Sequence, residues 1–293
     1  LEKDSGKMTH FTEETAMAER TTPSDLAAWE LDGSLHEAEG LRLFLADNDR
    51  LQHRLINQGM HEPAETALMG SVVQRGWTCL DIGANIGWHS LLLGRRVGPE
   101  GCVHAFEPMP ISRTRLLRNI ELNNANNIVV SPLALSSKAE VSHHAMMAGV
   151  PVLEGRLNLG GWSMKDPVNG AAADTVEVHS TTLDRYVAEQ GIKHVHFIKM
   201  DIEGYESRAL QGAHAVISKN RPYIVMEATY DGDDRTRGNV EKQLNILMMA
   251  GYTICVIRKN PWPHIRSFPR PDFQTPFHVN LFCYHGPKCD AHP

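Results

Sequence analysis

Short apolar runs alternate with stretches of helical period through the middle of the chain. "TCLDIG" (78–83) is followed by a helix pattern across 86–96, "CVHAFEP" (102–108) by one across 110–124, and then comes "NIVVSPLAL" (127–135). After a gap, "VHFIKMDIEG" (195–204) leads to a helix across 205–219, and "PYIVMEA" (222–228) to one across 238–250. Strands alternating with helices predict an α/β fold: a doubly wound, mostly parallel sheet with helices on both faces.

Three regions depart from this rhythm. Residues 1–75 read as a helical N-terminal extension, with Pro23-Ser24-Asp25 as a start signal and apolar positions at Leu41, Leu45, Leu51, Leu55 and Ile56. The segment 137–181 reads as a β insertion, with "EVSHHAM" and "TVEVHST" as extra strands and "LNLGGWSM" between them. Insertions at strand ends are where specificity elements sit, and Trp162 is a candidate wall of an acceptor pocket. At the end of the chain, "YTICVIRK" (252–259) and "HVNLFCYH" (278–285) follow one another without a helix and predict an antiparallel strand pair closing the sheet. The expected organisation is therefore an extension over 1–75 and one sheet domain over 76–293.

Composition narrows the classes of partner. The 293 residues carry a formal charge of −6 and no block of Lys or Arg. Nucleic acid is excluded as the expected partner, because phosphate binding needs a concentrated basic face. No apolar run is long enough to cross a bilayer, so no membrane partner is expected. The first residues lack the layout of a secretory signal; Met8 is the expected native start, and 1–7 are set aside as a cloning remnant. Five cysteines, Cys79, Cys102, Cys255, Cys283 and Cys289, contain no C-x-x-C pair. They read as reduced thiols, neither disulfides nor a zinc site, which places the protein in the cytoplasm. Oligomeric state is not legible.

The candidate chemistry begins at "LDIGANIGWHS". Gly83 and Gly87 let the backbone turn tightly between strand and helix. Asp81 and Asn85 flank that turn, and Glu107 ends the next strand, where an acid binds ribose hydroxyls. The dinucleotide fingerprint G-x-G-x-x-G is absent. A pyrophosphate on the helix N-terminus would not welcome more acids, whereas S-adenosylmethionine carries an ammonium and a sulfonium and no phosphate. Asp81, Glu107, Asp201 and Glu203 suit it. Ala134 and Ser136, at the end of the third run, complete the expected cofactor wall; Glu62 and Glu65, in the helix entering the first strand, are either candidates to reach the cofactor's amino group or ordinary helix-surface acids.

The segment "HFIKMDIEGYE" (196–206) starts as a buried strand and ends in charge. In an open α/β sheet the ligand lies outside the carboxyl ends of the strands, so Lys199, Asp201 and Glu203 are expected to face the same crevice as Gly83 and Gly87. Alternation would put all three on one side, with Lys199 neutralising the acids. Glu206, in the first turn of the next helix, serves either the site or the helix dipole.

"DIGANIG", "FEP", "TLDRYV", "IKMDIEGYE", "LQGA" and "RPYIVMEA", in this order and spacing, resemble the FkbM family of S-adenosylmethionine-dependent methyltransferases. The resemblance covers about 62–229, and its most specific element, K-x-D-x-E-G-x-E, is matched by Lys199, Asp201, Glu203, Gly204 and Glu206. It implies a class I methyltransferase (Rossmann-like) fold and methyl transfer, commonly to a hydroxyl oxygen on a sugar, polyketide or similar small metabolite.

A hydroxyl nucleophile must lose a proton, so a base or a metal is useful. Asp201 is the first candidate base and Glu227, ending the next strand, the second. The two could instead share Mg²⁺, with a third ligand from Asp231, Asp233 or Asp234. Lys199 and His89, directly after the glycine turn, are the remaining catalytic candidates. Two other classes compete: an NAD-dependent oxidoreductase, which shares the sheet and the ribose acid, and a cofactor-binding protein without chemistry. The missing third glycine and the acidic fourth strand end count against the first, and the intact acids against the second.

Overall fold

A computed structural model describes residues 33–145, 152–153, 156–157, 161, 175–258, 264–268 and 271–286. Pro23-Ser24-Asp25 and Trp162 lie outside these residues.

The described chain opens with a hairpin. β1 (Ser34–Ala38) and β2 (Leu41–Leu45) pair antiparallel across Glu39-Gly40, both with positive φ. Two positive φ values make the tight turn whose twist matches the strands it joins. This corrects the helical expectation for 34–45: Leu41, Leu43 and Leu45 point into the core and Arg42 is exposed, while Phe44, on the same side as Arg42, is buried as well. Helices do follow, α1 (Arg50–Gln58) and α2 (Pro63–Val72). Asp49 caps the first by accepting the Gln52 N–H at 3.0 Å.

The sheet is laid down by β3 (Thr78–Ile82), α3 (Trp88–Val97), β4 (Cys102–Phe106), α4 (Pro110–Leu122) and β5 (Ile128–Ser131). The insertion follows: β6 (Ala134–Leu135), β7 (Glu140–Ala145), β8 (Val152–Leu153), β9 (Arg156–Leu157) and β10 (Thr175–Thr181). β10 pairs with both β6 and β7, so the two expected extra strands are neighbours. The chain returns through α5 (Leu183–Glu189), β11 (Phe197–Met200), α6 (Glu206–Gln211), a π-helical turn at Val216–Asn220, β12 (Tyr223–Tyr230) and α7 (Asp234–Met249). It closes with β13 (Thr253–Arg258), β14 (His264–Ser267) and β15 (Phe277–Tyr284).

The eight-stranded sheet has the order β14-β13-β15-β12-β11-β3-β4-β5. The pairs from β12 to β5 are parallel, and β15 inserts antiparallel between β12 and β13. This is the doubly wound α/β class I fold, with its antiparallel pair at the C-terminal end. One face buries Leu80, Ile82, Ile198, Met200, Ile224 and Met226 under α5 to α7. The other buries Cys79, Val103, Ala105, Phe197 and Val225 together with the hairpin leucines, α2 and α3. The N-terminal segment thus shares a core with the sheet.

The cysteines depart from expectation in one place. Cys79, Cys102 and Cys283 are free thiols, but Cys255 is disulfide-bonded. The expectation of reduced thiols throughout therefore fails at Cys255. Among the described residues no helix is long and apolar enough to cross a membrane.

Candidate active site

The carboxyl ends of β3, β4, β11 and β12 open into one cleft of about 1430 Å³, its open mouth included. Glu62, Gly83, Asn85, His89, Glu107, Ala134, Lys199, Asp201, Glu203 and Glu227 all line it. Asp81, Gly87 and Ser136 do not.

At one end lies the glycine turn. Gly83 has φ +87, and a Cβ there would sit 1.9 Å from the Asp201 carbonyl oxygen. Only glycine lets this turn lie against the acidic turn after β11. Glu107 fixes the turn from the next strand: one carboxylate oxygen accepts the Asn85 N–H and the other the Met109 N–H, each at 2.8 Å. Burial pushes its carboxyl up to about 7, against the pull of those two N–H groups.

Asp81 is corrected from cofactor acid to buried support. It points beneath the turn, where the Ser90 hydroxyl donates to it at 2.5 Å, and burial raises its pKa. It lies in register with Lys199 on the adjoining strand. Gly87 begins α3 in the left-handed region, and a Cβ there would meet Leu116. Ser136 is buried and does not line the cleft.

At the other end lie the acids. β11 stops at Met200, and the chain turns with Glu203 at φ 53 and Gly204 at φ 92. Strand alternation therefore ends before Asp201, yet the turn still gathers Asp201, Glu203 and Glu227, whose carboxylate oxygens lie within 4.8 Å of one another. Lys199, 5 % exposed, reaches Asp201 at 3.0 Å. Burial alone would lower the Lys199 pKa; Asp201, Glu62 and Asp81 outweigh it and raise it. Burial opposes ionisation of Asp201, but Lys199 and the contact with Glu227 hold it well below the usual carboxylate range.

Glu206 turns inward as a clamp. One of its oxygens accepts the N–H groups of Ile202 and Gly204, both at 3.1 Å, and the other accepts from Asn239 and Gln243. Burial, with Glu227 nearby, pushes its carboxyl up to about 7. The spacing K-x-D-x-E-G-x-E is thus one device: a counter-ion, two cleft acids, a left-handed glycine and a clamp. The "YDGDDR" acids are corrected too. Asp231 and Asp233 accept from Thr236 at the start of α7, and the third carboxylate near Asp201 and Glu227 is Glu203 instead.

His89 is 5 % exposed, and its Nε2 lies 3.6 Å from Glu62 with no hydrogen-bond partner. Burial, then Lys199 and His61, push its pKa well down, so it is a neutral imidazole. Glu62 itself has φ 47 immediately before Pro63, a conformation a pre-proline residue avoids. Asn280 reaches over from β15 to Glu62 and Glu65.

Sequence reasoning missed His278. β15 runs antiparallel to β12, and its register sets His278 opposite Thr229 and Asn280 opposite Glu227. His278 Nδ1 lies 2.9 Å from Glu227 and 2.9 Å from the Thr229 hydroxyl, which itself donates to Glu227. Contact with Glu227 raises the His278 pKa against the effect of burial. The signal was present as alternating His278 and Asn280 in an otherwise apolar strand. Arg50, Arg54 and His61 were missed as well; they line the cleft from the N-terminal helices. His196, by contrast, accepts the Thr78 N–H at the start of β3, at the opposite end of the strands.

A profile of the Methyltransferase FkbM domain matches residues 81–254, more than half of the chain. "Methyltransferase sdnD" of Sordaria araneosa is 30% identical over 153 residues, 45% of this chain and 59% of its own length. "Methyltransferase 1" of Beauveria bassiana is 28% identical over 142 residues, 45% of this chain and 57% of its own. The chain thus spans under three-fifths of these curated relatives. The crystal structure of Methyltransferase FkbM from Methylobacillus flagellatus aligns at 18% identity and TM-score 0.43, over 89% of this chain and 58% of that one.

Proposed function

Because the chain belongs to the FkbM methyltransferase family, we propose that it transfers a methyl group from S-adenosylmethionine to a hydroxyl oxygen of a small metabolite, sugar or polyketide. The observation that carries this reading is the single cleft with a glycine turn pinned by Glu107 at one end and the Glu227–His278 pair at the other. Its acid lining fits the cofactor: Glu62, Glu107, Asp201 and Glu203 suit a sulfonium and an ammonium and repel a pyrophosphate. That also counts against the NAD-dependent alternative, and it supports a neutral or cationic acceptor over a polyanion such as nucleic acid.

When bound, S-adenosylmethionine supplies the methyl that the acceptor oxygen takes in an in-line displacement, leaving S-adenosylhomocysteine. The chain's own part is positioning and proton removal. Asp201 is a poor base, since Lys199 holds its basicity down; its charge serves the cationic side of the cofactor. His278 is the better base. Its Nδ1 is engaged by Glu227 and Thr229, which leaves Nε2 to take the acceptor's proton, and the raised pKa strengthens it. Lys199 holds Asp201 in place, and His89 adds a neutral wall.

A second reading adds a metal. Asp201, Glu203 and Glu227 offer hard oxygen atoms that suit Mg²⁺, which would bind and acidify the acceptor hydroxyl. Turnover abolished by EDTA and restored by Mg²⁺ would establish it; turnover indifferent to EDTA removes it.

The test of the main reading is calorimetric titration with S-adenosylhomocysteine and, separately, NAD, on the wild type and Glu107→Ala. Micromolar binding of the first ligand alone, lost in the variant, is expected, followed by a screen of hydroxyl acceptors. Absence of that binding, or tight NAD binding, sinks the proposal.

A further inference from the structure

Helix α1 presents two arginines, Arg50 and Arg54, one turn apart to the same cleft. Like charges at this spacing repel. Among the described residues the Arg54 guanidinium has no hydrogen-bond or ion-pair partner, although it is half-buried at the cleft wall. Local folding does not account for this placement; an anion in the cleft does.

The other cations of the cleft are committed. Lys199 is tied to Asp201 and His278 to Glu227. The floor between them is acidic and repels an anion. S-adenosylmethionine carries one anionic group, the α-carboxylate of its amino-acid arm. The same N-terminal segment carries Glu62, suited to the ammonium on the adjoining carbon.

We propose that Arg54 receives the α-carboxylate of the cofactor, so that α1 reads the amino-acid arm while Glu107 holds the nucleoside. A guanidinium presents paired donors that match a carboxylate. The inference rests on the S-adenosylmethionine reading above.

The test compares S-adenosylmethionine with decarboxylated S-adenosylmethionine, which lacks only that group, by calorimetry on the wild type, Arg54→Gln and Arg54→Lys. The wild type is expected to prefer the complete cofactor by at least about tenfold. Arg54→Gln should bind both ligands alike, at the wild-type affinity for the decarboxylated one, with Arg54→Lys between. Three results overturn the proposal: a wild type that binds both ligands alike, a preference that survives in Arg54→Gln, or a variant that weakens both ligands equally. A wild type that binds neither ligand fails at the cofactor reading itself.

Discussion

Lys199 Nζ lies 3.0 Å from Asp201 Oδ2 at the mouth of a sheet whose buried Asp81 stands in register beside it. One ammonium therefore serves two acids, one in the cleft and one beneath it. Removing the lysine leaves buried Asp81 and half-buried Asp201 uncompensated.

Lys199→Met should destabilise the fold by about 3 kcal/mol, measured by urea denaturation at pH 7.5. The lysine pKa is raised, so its contribution is complete at neutral pH and fades as pH rises through the folded-state value. The Asp201 pKa is depressed, so its share is present above about pH 4 and is lost on acidification. The difference between variant and wild type should accordingly shrink in acid as well as in strong base. A variant as stable as the wild type at pH 7.5 would contradict this account.

Glu206 gives a pH dependence opposite in sign to that of Asp201. Its folded-state value, about 7, lies above its ordinary 4.5, so the folded protein binds the proton more tightly. Stability should fall as pH rises between those two values, by an amount on the order of 3 kcal/mol. Glu206→Gln keeps an acceptor for Ile202 and Gly204, and Gln243, whose Oε1 has no partner, can flip to meet the new amide. The variant should flatten the slope; thermal melts from pH 4.5 to 7.5 would decide it.

Cofactor affinity should follow Glu107. Its carboxyl titrates at about 7, and the ionised form is the better acceptor for ribose hydroxyls. S-adenosylhomocysteine binding should strengthen roughly tenfold from pH 6 to pH 8 in the wild type and stay level in Glu107→Gln. Parallel curves for the two proteins would assign the pH dependence elsewhere.

Gly83→Ala should disrupt the site mechanically. The added carbon meets the Asp201 carbonyl at 1.9 Å on a backbone with φ +87, so two turns must separate. Loss of S-adenosylhomocysteine binding with a drop of about 3 kcal/mol in stability is expected. The matching change at Gly59, whose Cβ would meet nothing within 4 Å, should cost about 1 kcal/mol and leave binding intact.

His278→Gln should lower turnover by about 10² to 10⁴ while S-adenosylhomocysteine binding holds within about threefold. The acidic limb of the rate profile should vanish with it. Turnover unchanged in the variant would return the proton to Glu227 or to a metal.

The parallel half of the fold was legible because burial on two faces imposes continuous apolar runs, and helices impose their own period. The hairpin was not. Leu41 and Leu45 stand four apart, which fits a helix as well as a strand, and only exposed Arg42 between buried neighbours separates the two. Site legibility divided in the same way. The K-x-D-x-E-G-x-E element packs its logic into eight consecutive residues, so its members could be read together. Asp81 looked like a ligand because sequence does not show that Ser90 waits beneath the turn. His278 and Arg54 were hidden because their roles depend on tertiary neighbours, a strand register and a helix laid across the cleft.

That strand register has a consequence for the order in which the protein is made. Every residue proposed to hold the cofactor precedes residue 207, whereas His278 arrives with β15, the last of the described strands to leave the ribosome. A nascent chain arrested between the two would carry the proposed cofactor residues without the proposed base. β15 lies between β12 and β13 and buries Leu281, Phe282 and Cys283, so one late strand completes both the core of the sheet and the proposed base.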